Sequence, residues 1–320
     1  MKGAYSFQVK ICATFFEKNM SYKTLISTVD LKNNLDKDNW LIVDCRFNLV
    51  DTNEGHALYH QGHIPNAIYA HLDDNLSGQI LPGKTGRHPL PEIDKLSGLF
   101  SSWGINQDTQ VVAYDGAAGP FAARLWWLLR WLGHENVAVL NGGFKQWQAE
   151  GGEVALNKKH SALKPTLKST LDPAIQSGEM QFNAVINSKM LVDADIVFSS
   201  LPELQNKSVC LLDARTSDRF CGENETLDPK AGHIPGAISS PFIDNLNEDG
   251  LFKDKQALKK MYTGKVANCN PENIIVYCGS GITAAHNILA MEYAGLPGAK
   301  LYAGSWSHWI TDDRHPVAIC

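Results

Sequence analysis

The residues best suited to chemistry lie in one run, Ile274-Ile275-Val276-Tyr277-Cys278-Gly279-Ser280-Gly281-Ile282-Thr283-Ala284-Ala285-His286-Asn287. Four apolar or aromatic residues predict a short buried strand, and the alanine-rich stretch from Thr283 predicts a helix. Cys278 falls where the strand stops. Gly279 and Gly281 let the backbone curl tightly after it, because glycine accepts positive φ without a Cβ clash. Loop amides and the helix N-terminus are then expected to converge on the sulfur, an arrangement that favours thiolate over thiol. Cys278 reads as a nucleophile rather than a packing residue. The competing chemistry for a cysteine in an amide cradle is the phosphatase-type loop. That loop needs an arginine to hold phosphate in a bidentate grip. Gly279 to Ala285 contains none, which disfavours phosphate-ester hydrolysis.

The elements that must position this loop occur twice in the chain. Leu41-Ile42-Val43-Asp44-Cys45-Arg46 returns as Leu211-Leu212-Asp213-Ala214-Arg215, and Gly62-His63-Ile64-Pro65 returns as Gly232-His233-Ile234-Pro235. Val111-Val112-Ala113-Tyr114-Asp115-Gly116 returns as Ile274-Ile275-Val276-Tyr277-Cys278-Gly279. Val139 to Trp147 returns as Leu301 to Trp309. Matched blocks in the same order at nearly constant spacing indicate a duplicated unit. Within each half, short β-branched runs alternate with helical stretches such as Ala122 to Leu132. That alternation predicts an α/β fold, each half a mostly parallel sheet with helices on both faces. The expected domains are 20–152 and 189–320, with 1–19 an N-terminal extension and 153–188 a linker.

Composition narrows the function. At 320 residues and 44% hydrophobic content, the chain can build two cores. A formal net charge of −5 leaves no basic footprint for nucleic acid. No apolar run is long enough to span a membrane, and the first twenty residues lack a clean signal-peptide core, so a cytoplasmic protein is expected. Seven cysteines without a C-x-x-C pair do not suggest a disulfide framework. Cys45 and Cys210 read as core, and Cys221 as a passive loop cysteine. No Cys/His spacing implies a metal site, and no cofactor is called for. The duplicated Asp-x-Arg at Arg46 and Arg215 is expected to tie each strand end to a neighbouring loop. Trp126, Trp127 and Trp131 read as core, and Trp306 and Trp309 as packing beneath the active loop. The Arg87-His88 segment has no partner block in the second half and reads as a solvated loop, with an extra anion contact lining the inter-domain cleft as the alternative.

Cys278-Gly279-Ser280-Gly281-Ile282-Thr283 resembles the active loop of the rhodanese superfamily, in the form carried by 3-mercaptopyruvate sulfurtransferases. Thiosulfate-preferring members carry basic residues directly after the cysteine, where this chain has Gly279 and Ser280. The resemblance covers nearly the whole chain after the extension and implies two tandem rhodanese-like domains. It implies sulfur transfer through a Cys278 persulfide, from 3-mercaptopyruvate or alternatively thiosulfate, to cyanide or a thiol such as thioredoxin. A non-catalytic persulfide carrier is the other reading. Asp115 stands at the cysteine position of the first half and cannot carry sulfane sulfur, so that half should be catalytically silent. By resemblance, Arg219 grips a substrate carboxylate. A second arginine usual a few residues on is missing from Glu223 to Lys230, with Lys230 a weak substitute. Ser280 resembles the serine of a relay with a histidine and an acid from the first domain. His63 matches the histidine position, with Asp51 or Glu54 as the acid, although its duplicate His233 argues equally for a structural role.

Overall fold

The computed structural model describes residues 21–156, 182–267 and 269–320. The expected N-terminal extension lies outside them, as do residues 157–181 of the expected linker. Each half contains a five-stranded, wholly parallel sheet. In the first, the strands β1 (Leu25–Ile26), β2 (Trp40–Asp44), β3 (Ile68–Tyr69), β4 (Gln110–Tyr114) and β5 (Val137–Leu140) lie in the order β1-β5-β4-β2-β3. The second, with β6 (Leu191–Val192), β7 (Cys210–Asp213), β8 (Ile238–Ser239), β9 (Ile274–Tyr277) and β10 (Lys300–Tyr302), repeats it as β6-β10-β9-β7-β8. The central strands β4 and β9 are buried along their full length, the reason their sequences run apolar rather than alternating.

The strand ends are tied as the duplicated Asp-x-Arg suggested. Arg46 holds both carboxylate oxygens of Asp44 and donates to the Gly62 carbonyl at 2.6 Å. Arg215 repeats this with Asp213 and the Gly232 carbonyl at 2.7 Å. Their carbonyl partners precede His63 and His233, so each arginine fixes the entry to a Gly-His-Ile-Pro turn.

The outer face of each sheet packs its own apolar cluster, one around Trp147 and one around Trp306 and Trp309. The inner faces share a third cluster that runs from Trp127 and Leu128 through to Ile288 and Cys278. Cys45, Cys210, Trp126, Trp127 and Trp131 are buried as expected. The helix after each central strand carries this junction. Pro120–Trp131 packs against Thr283–Tyr293, and Arg130 meets Glu292 at 3.2 Å between them. A fully buried His286 on the second helix adds a polar latch. Its Nε2 donates to the Ala118 carbonyl at 2.8 Å, while its Nδ1 accepts from Asn245. Both described ends of segment 153–188 dock on the first half. Ala155 pairs with His63, and the amides of Val185 and Asn187 donate to the Leu132 and Trp131 carbonyls.

Candidate active site

Cys278 stands at the C-terminal end of central strand β9, the end at which open parallel sheets place their ligands. The loop closes on Gly281 alone of the two glycines, and among the described contacts one amide, not the helix start, reaches the sulfur. Gly281 adopts φ +82°, and the Cβ of any other residue there would lie 2.5 Å from the Ala303 carbonyl oxygen. In that conformation the Gly281 amide donates to the Cys278 sulfur at 3.1 Å. Ser305, the residue after the Gly304 turn, approaches the same sulfur at 4.0 Å and accepts from the Cys278 amide at 3.1 Å. The Trp306 amide donates to the Cys278 carbonyl, which places that buried indole beneath the loop. Cys278 is only 2% exposed, yet the neighbouring N–H points at its sulfur rather than away.

The first half has the same loop with its anion built in. Asp115 accepts from the amides of Gly119 and Ala117 on one oxygen and of Phe121 and Ala122 on the other. Burial pushes its carboxyl up, and those four amide bonds pull it back. Where the second half offers a sulfur, the first offers a carboxylate already satisfied by its own cradle.

Two arginines cover the loop. A Cβ built on Gly279 would lie 2.7 Å from Arg87 Nη2 and 3.5 Å from both terminal nitrogens of Arg219. Arg219 is held by Glu225, at 2.8 Å from Nη2, and by Asp228 at 3.2 Å. Asp218, its neighbour in sequence, accepts from the Arg219 backbone amide rather than from the guanidinium. Arg87, from the first half, forms a fork with Asp228 at 2.9 and 3.0 Å, so Asp228 bridges the two guanidiniums. The acidic stretch that seemed to lack a second arginine is therefore the socket for one arriving from the other domain. Lys230 is exposed and contributes its carbonyl to the Trp306 indole.

Ser280 meets a histidine of the first half, but that histidine is His88 and not His63. His88 Nδ1 lies 2.7 Å from Ser280 Oγ, and its Nε2 lies 3.4 Å from Asp73. Burial first, then the Arg124 and Arg87 cations, hold this ring down to about 3. The neutral ring is assigned the tautomer that accepts from Ser280 on Nδ1 and offers Nε2–H to Asp73. His63 instead stacks on Tyr59 and bonds the Tyr59 carbonyl at 2.9 Å, and His233 likewise stacks on Phe220 and bonds its carbonyl. The duplicated histidines are turn residues. Asp51 and Glu54 are exposed, occupied by the Asn53 amide and the Asn48 side chain. His88 is buried and Arg87 half-buried at the domain junction, which corrects the reading of this loop as solvated and agrees with the alternative that it lines the cleft. Its one signal in sequence was its lack of a counterpart in the second half.

Cys221 is also corrected. It forms a disulfide with Cys320, the Cα atoms 4.8 Å apart, so it offers no free thiol to the cleft. The sequence separation of 99 residues hid the pair.

The buried histidines set an acid limit on the junction. The His286 ring is held at about 4 by burial and the His88 ring at about 3. An unfolded histidine takes its proton near 6.5. Between these limits the unfolded chain binds more protons, so stability is complete above about pH 6.5 and falls as pH drops. Each ring contributes a slope of up to about 1.4 kcal/mol per pH unit. Urea unfolding between about pH 7 and pH 4.5 will show this loss, and His286→Gln, which keeps a donor to Ala118 without the titration, will flatten it. An identical slope in the variant refutes the assignment.

With the geometry in place, the comparisons with known proteins decide the family. The family described as Rhodanese-like domain matches residues 27–150 and 199–312, one copy per half. The chain belongs to the rhodanese family. A Pseudomonas aeruginosa relative named a probable 3-mercaptopyruvate sulfurtransferase is 41% identical over 300 residues, 93% of this chain and 99% of that protein. Thiosulfate sulfurtransferase of Bos taurus is 31% identical, covering 84% of both chains. Among solved structures, 3-mercaptopyruvate sulfurtransferase from Leishmania major superposes with a TM-score of 0.76 at 28% identity, over 92% of this chain and 76% of its own. Both rhodanese copies thus carry the tandem α/β architecture expected from the internal repeat. No described helix is long and apolar enough to cross a membrane.

Proposed function

We propose that this protein is a sulfurtransferase that moves sulfane sulfur from 3-mercaptopyruvate to a thiol or cyanide through a persulfide on Cys278. The observation that carries the reading is the single cradled sulfur of Cys278 beneath the paired guanidiniums of Arg87 and Arg219. A planar carboxylate fits a guanidinium fork, and a ketoacid donor presents one next to its reactive carbon. A Cβ at Gly279 would press on Arg87 Nη2 at 2.7 Å, so a basic residue there would have to move that guanidinium and would bring its own charge against Arg219. This favours 3-mercaptopyruvate over thiosulfate.

In the first half-reaction the Cys278 thiolate attacks the donor sulfur. An S–S bond forms, the donor C–S bond breaks, and its electron pair leaves as the pyruvate enolate, which takes one proton. Ser280, which His88 and Asp73 hold in place, can turn its single O–H from His88 Nδ1 to the oxygen on which that charge develops. In the second half-reaction an acceptor thiolate attacks the outer sulfur and Cys278 leaves as thiolate. Ping-pong kinetics follow. Thioredoxin is a fitting acceptor, and a cytoplasmic setting, rich in thiols, suits the exchange.

The decisive experiment compares donors. Pyruvate release from 3-mercaptopyruvate should exceed thiocyanate formation from thiosulfate and cyanide, and a mass spectrum without acceptor should show one sulfur added at Cys278. A preference for thiosulfate, or sulfur on another residue, refutes the donor or the nucleophile respectively. Turnover with free acceptors separates the enzyme from a carrier that is charged but does not discharge. Ser280→Ala and His88→Asn are each expected to lower kcat about a hundredfold with little change in KM, and the double variant no further than either alone. Additive losses would mean the two side chains do not work as a unit.

A further inference from the structure

The turn after β10, which supports Cys278 from behind, holds a residue in a conformation its type rarely takes. Ser305 has φ +55° and no exposed surface. Non-glycine residues at positive φ are uncommon and are mostly Asn, Asp or His. They persist where the surrounding structure holds them, and they cluster at functional sites. The duplication supplies an internal control. Val139 to Trp147 pairs with Leu301 to Trp309, so Ser305 stands where the first half has Gly143. Gly143 takes the same conformation, at φ +59°. The backbone contacts match as well. The Phe144 and Lys145 amides donate to the Asp115 and Gly116 carbonyls at 2.8 and 3.0 Å, and the Trp306 and Ser307 amides donate to the Cys278 and Gly279 carbonyls, both at 2.9 Å. The turn therefore closes with glycine, at no cost in backbone strain. Building it does not require a serine.

What the serine adds is a hydroxyl placed at the nucleophile. Its Oγ accepts from the Cys278 amide at 3.1 Å, donates to the Tyr302 carbonyl at 2.9 Å and stands 4.0 Å from the Cys278 sulfur. A hydroxyl has one proton, which rotates to suit its neighbours, and two lone pairs. That proton cannot serve the carbonyl and the sulfur at once. A neutral thiol competes poorly with a carbonyl as acceptor, whereas an anionic sulfur accepts a stronger, charge-assisted bond. The amide bond from Cys278 keeps Oγ in place for either direction. Among the described contacts the Gly281 amide, at 3.1 Å, is the other donor that reaches this sulfur. In the first half a Cβ at Gly143 would lie 2.5 Å from the Asp115 carbonyl oxygen, and Asp115 draws on four loop amides instead. The hydroxyl therefore occurs only in the half that carries the nucleophile.

We propose that Ser305 is a positioning residue for the nucleophile: its left-handed backbone carries a hydroxyl that pins the Cys278 main chain and turns its O–H from the Tyr302 carbonyl to the sulfur when that sulfur is ionised. The inference rests on the reading of Cys278 as the nucleophile, but its test uses no sulfur donor, so the two can fail separately. The charged and titratable groups around the sulfur are Arg87 and Arg219 with Asp228 and Glu225, and His88 with Asp73. Arg124 adds a buried cation from the first-half helix. Among the described hydrogen bonds Ser305 makes none with these groups, so its substitution leaves them in place.

The test separates the hydroxyl from the strained backbone. Ser305→Ala keeps the side-chain Cβ and loses the hydroxyl, and Ser305→Gly copies the first half and relieves the backbone as well. Iodoacetamide labelling of Cys278 is followed by peptide mass spectrometry from about pH 5 to pH 10, with Cys269 as the internal reference. In both variants the midpoint of the Cys278 profile should move up by about one pH unit, for loss of one donor to the charged form. The high-pH plateau should change by no more than about threefold, and Cys269 should not move. A merely structural role would lower the plateau and leave the midpoint where it was. A variant midpoint that superposes on the parent, or one restored by Ser305→Gly but not by Ser305→Ala, overturns the proposal. A parent in which Cys278 takes no label refutes the nucleophile itself and the role of Ser305 with it. If Ser305→Ala does not unfold cooperatively in urea, Ser305→Gly is read alone by the same midpoint limit.

Discussion

Cys278→Ser is expected to abolish turnover with every donor, by roughly 10⁴-fold or more, while the chain still folds. The loss follows from the place of one sulfur. The Gly281 amide points at it, the Ser305 hydroxyl approaches it, and the corresponding position of the other half holds a carboxylate that cannot accept sulfane sulfur. A serine oxygen is close enough in size to keep the loop closed, so urea unfolding should change by only about 1 kcal/mol. The assay must be paired with mass spectrometry of the donor-treated variant, which should show no added sulfur. Cys269→Ser, at a half-exposed thiol beside Ser208, should keep full activity. Residual turnover in Cys278→Ser, or its loss in Cys269→Ser, would move the chemistry elsewhere.

The second large effect concerns the two guanidiniums. Arg219→Ala and Arg87→Ala are each expected to reduce kcat/KM for 3-mercaptopyruvate by about tenfold to a hundredfold, chiefly through KM. Each removes one arm of a cation pair joined by Asp228, whose side chain is almost fully enclosed. Because both arms share that carboxylate, the double variant should depart from the sum of the two single losses. Arg87→Lys should recover little, since an ammonium cannot reproduce the fork to both Asp228 oxygens. An unchanged KM in Arg87→Ala would return that residue to a purely structural tie between the halves.

Arg87 also shows where sequence reasoning stopped. The parallel sheets, the buried central strands, the tied strand ends and the position of Cys278 all follow from local pattern and repetition, and each is found in the structure. Contacts across the junction follow from neither. His88 and Ser280 are 192 residues apart and belong to different halves, so no periodicity links them. His63 attracted attention because its block is duplicated, and duplication proved to be the signature of a structural turn. Asymmetry was the better guide. Asp115 gives way to Cys278 in the second half, Arg87 and His88 have no matched block there, and all three lie at the candidate site or its first-half counterpart. The Cys221–Cys320 bridge was hidden for the same reason, since it joins a helix end to residues 99 positions later.

The filled cradle of Asp115 has a consequence for the energetics of the cycle. Its negative group is tethered to the backbone, so the first half is locked for good in the condition the second reaches only when its sulfur is ionised or loaded. One side of the junction behaves as a permanently occupied twin, pressing a finished helix start against its partner. The Ala118 carbonyl that receives His286 lies on the loop that four backbone amides close around Asp115, so the junction is anchored on the side where no sulfur is held.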